Sequence, residues 1–105
     1  MDSQLKKGLM DACVLSTLTG GEAYGYKLAQ DISKVMAMSE STLYPILRRM
    51  EQQGYLVTRN SEHNGRLRKY YSMTQAGVHR LTEFKAEWTE VKRLVDYIIK
   101  EGVGS

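Results

Sequence analysis

The sequence is short of the side chains that do chemistry. Among 105 residues there are 1 cysteine, 1 proline, 1 tryptophan and 2 histidines. Cys13 has no partner for an internal disulfide and lies among apolar residues, so it reads as a small core residue in a reducing compartment. His63 falls in a turn-forming stretch and His79 among charged residues. Neither has a Cys, Ser or carboxylate at a spacing that would build a metal site or pair a nucleophile with its base. The expectations are therefore no enzyme, no metal and no cofactor. Long apolar runs are missing as well. Asp11 interrupts the N-terminal one, which argues against a signal peptide, and no other approaches the length of a bilayer span. A cytoplasmic protein without membrane contact is expected.

Charge imbalance is also small, at a formal +3, but its placement is informative. Residues 1–39 hold four lysines and four acids, and residues 74–105 five charges of each sign. The whole excess sits in residues 40–73, where Arg48, Arg49, Arg59, Arg66, Arg68 and Lys69 face only Glu40, Glu51 and Glu62. A positive excess confined to one stretch is the footprint of a surface that meets a polyanion.

Ser39 to Gly54 opens that stretch and reads as one helix. Ser39 suits the N-cap, and Gly54 supplies the left-handed residue that often stops a helix. Leu43, Ile46, Leu47 and Met50 recur every three or four residues and form one face. The other face carries Ser41, Thr42, Tyr44, Pro45, Arg48 and Arg49. Pro45 should bend or tighten the helix, since it cannot donate a backbone bond. Hydroxyls and guanidiniums backed by an apolar ridge suit a DNA major groove.

Two helices are expected before it. Leu5 to about Leu18 places Leu9, Met10, Cys13, Val14 and Leu18 on one side. Tyr24 to about Met36 turns Leu28, Ala29, Ile32, Val35 and Met36 inward, with Gly25 hinting at a close neighbour. Past Gly54 the period changes to two. Tyr55–Arg59 and Arg68–Met73 are strand-like, and Asn64-Gly65 between them is a strong hairpin signal. A hairpin with Arg66, Arg68 and Lys69 near its tip, directly after a basic helix, is the wing of a winged helix. From Thr74 to about Glu101 a long helix follows, capped by Thr74 and ended by Gly102 and Gly104. Leu81, Phe84, Trp88, Val91, Val95 and Ile98 form a heptad-type seam along it, suited to a second copy of the chain across a two-fold axis or to the chain's own first helix. The fold class predicted is mostly α with a small β-hairpin: a winged helix-turn-helix over residues 1–73 and a C-terminal dimerisation helix over 74–105, in one compact unit.

Three pieces in this order, Tyr24-Gly25-Tyr26, the run Thr42–Glu51 and the run Arg68–Gly77, resemble the PadR family of bacterial transcriptional regulators, in its short form with a single C-terminal helix. The similarity runs over nearly the whole chain. It implies a homodimer that represses transcription by occupying promoter DNA, often released by a small molecule. On that footing Ser41, Thr42 and Tyr44 would meet base edges and nearby phosphates, and Arg48 and Arg49 phosphate or guanine. Arg66, Arg68 and Lys69 would hold the backbone from the wing. The resemblance also implies a site for a flat hydrophobic effector between subunits, against Trp88 and Phe84, although a lone tryptophan on such a seam is more often plain dimer core. Two departures stand out: Met50 and Met73 replace the commoner leucine, and Leu67 breaks the basic run of the wing. The rival function is a winged helix used only for protein contact, which low-salt retention on nonspecific DNA would separate from a DNA-binding protein.

Overall fold

Three helices close around one apolar centre because each offers it a single stripe. In the computed structural model, which describes residues 1–104 and side chains through Glu101, α1 spans Ser3–Thr17, α2 Gly25–Ile32 and α3 Glu40–Gln52. Asp2 starts α1 by accepting from the backbone amides of Gln4 and Leu5 at 3.1 and 3.0 Å. Val14, Leu15 and Leu18 meet Leu28 and Ile32 of α2 and Leu43, Leu47 and Met50 of α3 in the buried core.

The sheet is larger than a hairpin. β2 (Leu56–His63) and β3 (Arg66–Met73) pair from Leu56 opposite Met73 out to His63 opposite Arg66. The strands therefore run to the two-residue turn itself, well beyond the expected Arg59 and Arg68. Asn64 and Gly65 both have positive φ, 53° and 77°, as a turn matching the strand twist requires. On the other side of β3 lies β1, the two residues Ala23–Tyr24, giving the order β1-β3-β2. Periodicity places Tyr24 inside α2; it is instead the extended residue from which α2 starts.

Two further boundaries differ. α2 ends at Ile32 rather than near Met36, and the chain then turns. Val35, expected inside, is 76% exposed, while Met38 takes the buried place. The Ser33 hydroxyl donates to the Met38 carbonyl at 2.9 Å and fixes that turn. The last helix, α4, spans Gln75–Gly104 and passes through Gly102 instead of stopping there. A glycine inside a helix costs about 1 kcal/mol, which is a penalty and not a prohibition.

The root of α4 is tightly made. The Thr74 hydroxyl accepts from the Gly77 amide at 3.1 Å and donates to the Gly54 carbonyl at 2.6 Å. Gly77 lies so close to the Tyr55 carbonyl oxygen that an added Cβ would overlap it. Beyond this joint α4 extends the molecule to 62 Å, against 26 and 22 Å in the other directions. No helix among the described residues is long and apolar enough to cross a membrane.

Candidate nucleic-acid interface

The expected caps of α3 are present. Ser39 accepts from the Thr42 amide at 3.2 Å, and its hydroxyl also lies 3.0 Å from those of Ser41 and Thr42. Gly54 has φ 82°. With about 100° between successive residues, the row opposite Leu43, Leu47 and Met50 consists of Ser41, Pro45, Arg48 and Gln52, and all four are exposed. α3 runs through Pro45 without interruption. Because proline has no N–H, the Ser41 carbonyl lacks its usual helical donor and is left to solvent or a ligand.

The two flanks of this row differ. On one, Tyr44 lies against α2: an added Cβ at Gly25 would sit 2.6 Å from Tyr44 Cε1, so only glycine admits the ring there. The Tyr44 hydroxyl donates to Glu40 at 3.0 Å. Burial, and then this carboxylate, push its pKa above the ordinary phenol value. On the other flank, Arg49 turns back to α1, where its Nη2 meets Asp11 at 2.5 Å, and it also donates to Gln53 at 3.2 Å. Neighbouring arginines thus have different fates. Arg48 has no carboxylate within ion-pair distance among the described residues; Arg49 does.

The wing is fastened to α3 through one carboxylate. Glu51 accepts from the Thr58 hydroxyl at 2.9 Å and lies 3.5 Å from Lys69 Nζ. On the opposite face of the sheet, Arg59 pairs with Glu22 and lies 4.8 Å from the centre of the Tyr70 ring. Tyr70 meets Tyr24 edge-on at 5.7 Å, and Arg68 lies 4.4 Å over the Tyr24 ring. Strand alternation sends Lys69 to one face, and Arg66 and Arg68 to the other. Arg66 has no carboxylate partner among the described residues, and Arg68 is held by an aromatic face with its charge uncompensated.

This architecture has counterparts among known proteins. Residues 14–83 match the model of the transcriptional regulator PadR-like family. The chain belongs to the PadR-like family of transcriptional regulators. Transcriptional regulator Rv3488 of Mycobacterium tuberculosis is 36% identical over 83 residues, 78% of each chain. The crystal structure of smu.1704 from Streptococcus mutans superposes with a TM-score of 0.82 at 38% identity, covering 90% of this chain and 89% of that one. A PadR-like transcriptional regulator from Bacillus cereus gives 0.83 at 33% identity, over 92% and 97%. The protein is therefore a transcriptional regulator with the winged-helix fold that its sequence predicts.

The remaining residues singled out for this PadR-like chain lie on α4. Leu81 is 6% exposed and part of the chain's own core. Phe84 and Trp88 are half-buried and stacked, with ring centres 5.5 Å apart. Phe84 lines a cleft of about 220 Å³ with Asp11, Leu15, Tyr55 and Arg80. Val91, Val95 and Ile98 are exposed, together with Leu94 and Ile99 on either side of them. Cys13 is half-buried, and burial raises its thiol pKa, the opposite of what a nucleophile needs. Sequence reasoning missed the parts Asp11, Glu22, Tyr24 and Glu51 play. Each is an ordinary residue locally and becomes a partner only when distant segments meet.

Proposed function

We propose that this regulator is a cytoplasmic homodimeric repressor that occupies an inverted-repeat operator. Residues 1–73 bind DNA and residues 74–105 hold the dimer. Each subunit lays α3 in a major groove, the two grooves about 34 Å apart. Ser41 meets base edges from the outward row. Thr42 and Tyr44 meet bases or adjacent phosphates from its two flanks, Tyr44 by releasing Glu40. Arg48 meets guanine or phosphate, and Arg66, Arg68 and Lys69 grip the backbone. Arg49 joins them only by leaving Asp11. The observation that carries this reading is the open row Ser41–Pro45–Arg48 beside Arg66 and Arg68 of the wing, which no carboxylate pairs among the described residues, whereas Lys69 must leave Glu51 to join them.

The homodimer is supported by Val91, Leu94, Val95, Ile98 and Ile99, a contiguous apolar surface on a helix that has outrun its own core. A planar hydrophobic or phenolic effector against Phe84 and Trp88 would release DNA by binding one subunit arrangement better than the other. Titration of labelled operator at several salt concentrations tests the DNA reading. Arg66→Ala/Arg68→Ala should weaken all sequences alike and flatten the salt dependence by about 0.9 for each phosphate no longer neutralised. An unchanged slope removes the wing from the interface. Quenching of Trp88 emission by planar phenolic compounds tests the effector; silence across a broad panel leaves Trp88 as core.

A further inference from the structure

The neutral charge tally of residues 1–39 conceals a second basic edge. All four acids of that segment are engaged in the folded protein. Asp2 caps α1, Asp11 holds Arg49, Glu22 holds Arg59, and Asp31 holds Lys27 and Lys34. That leaves Lys6 and Lys7, exposed on the first turns of α1, with no carboxylate within ion-pair distance among the described residues. Both line a cleft of about 430 Å³ with Thr42, Pro45, Ile46 and Arg49 of α3. Its floor, Met10, Pro45 and Ile46, is apolar, and the carboxylate one turn past Lys7, Asp11, is occupied by Arg49.

The side of α3 on which they lie follows from the helix geometry. Glu51 and Tyr44 occupy one flank of the outward row, where Glu51 fastens the wing. Thr42, Ile46 and Arg49 occupy the other, facing α1. The exposed row is therefore bracketed, with wing cations on one side and the α1 lysines on the other.

We infer that Lys6 and Lys7 are a second phosphate-gripping edge, holding the DNA strand across the groove from the one the wing holds. This rests on the DNA reading above and extends its binding surface to a segment that reading leaves out. Two point charges on flexible stems suit backbone phosphates, which carry position and not sequence. The edge should therefore add affinity and fix the tilt of α3 without adding base preference.

The test uses the full chain and its selected operator. Lys6→Gln/Lys7→Gln should lower operator affinity about tenfold or more near 0.15 M salt. It should also reduce the slope of log affinity against log salt by about 0.9 for each phosphate left without its lysine. Lys6→Arg/Lys7→Arg should restore the slope. Lys85→Gln/Lys100→Gln, on the far helix, should leave it unchanged. The ratio of operator to random-sequence binding should hold in all of them. A wild-type chain that binds operator while Lys6→Gln/Lys7→Gln keeps the wild-type slope overturns the second edge and leaves the DNA reading standing. A wild-type chain that ignores every duplex in dilute buffer overturns both.

Discussion

One helix, α4, carries two different kinds of apolar residue. Near its root Leu81 is sealed into the chain's own core, and Phe84 and Trp88 are half-covered. Farther along, Val95 is 41% and Ile98 64% exposed, although both continue the same seam. The heptad spacing is uniform; its surroundings are not. α1 and the sheet supply a partner for the first half, and the second half projects past them. A repeat of apolar residues therefore marks a face suited to packing, and the fold decides how much of it the chain itself covers.

The sharpest way to break this comparison is to truncate one residue from each half. Leu81→Ala should destabilise the fold by about 2–5 kcal/mol, because it empties a packed site. Urea denaturation checks this, and Val95→Ala should move the same midpoint far less. Gly77→Ala strikes the joint between head and helix. Its Cβ would overlap the Tyr55 carbonyl, and the forced shift should cost about 1–3 kcal/mol. Val95→Asp/Ile98→Asp should do the reverse of Leu81→Ala, leaving residues 1–73 folded by circular dichroism but dissociating the proposed dimer in sedimentation. Operator affinity should then fall about tenfold or more, equivalent to about 1.4 kcal/mol.

The smallest effect is a dependence on alkaline pH in which two phenols of the winged-helix part take part. Burial pushes the pKa values of Tyr71 and Tyr44 above the phenol's ordinary 10.0. The folded protein therefore keeps these protons after the unfolded chain begins to lose them. Their contribution is intact below that ordinary value and declines as pH rises through the shifted ones. Urea midpoints at about pH 9 and about pH 11 should show the decline. Tyr71→Phe should shallow it.

Much of this was legible from local chemistry. Ser39 and Gly54 bounded α3 because a cap and a stop are single-residue signals. Asn64-Gly65 fixed the turn, since few other pairs accept two positive φ values. Gly25 marked the close approach now seen for Tyr44. β1 was not legible, as two residues show no period and form a strand only because β3 is there to pair with. Nor was the division between Arg48 and Arg49. It depends on Asp11, 38 positions earlier in the chain, and no window over α3 contains it. Lys6 and Lys7 were hidden for the same reason. Charge summed along the sequence cancels them against acids that, once folded, are occupied elsewhere.

The joint at Thr74 and Gly77 makes α4 a lever with a short, stiff hinge. Its 30 residues span about 45 Å at 1.5 Å each, so a tilt of about 5° at the root carries the far end about 4 Å. The same arithmetic run backwards means that a partner seated at the tip can set the attitude of the head with very fine adjustment.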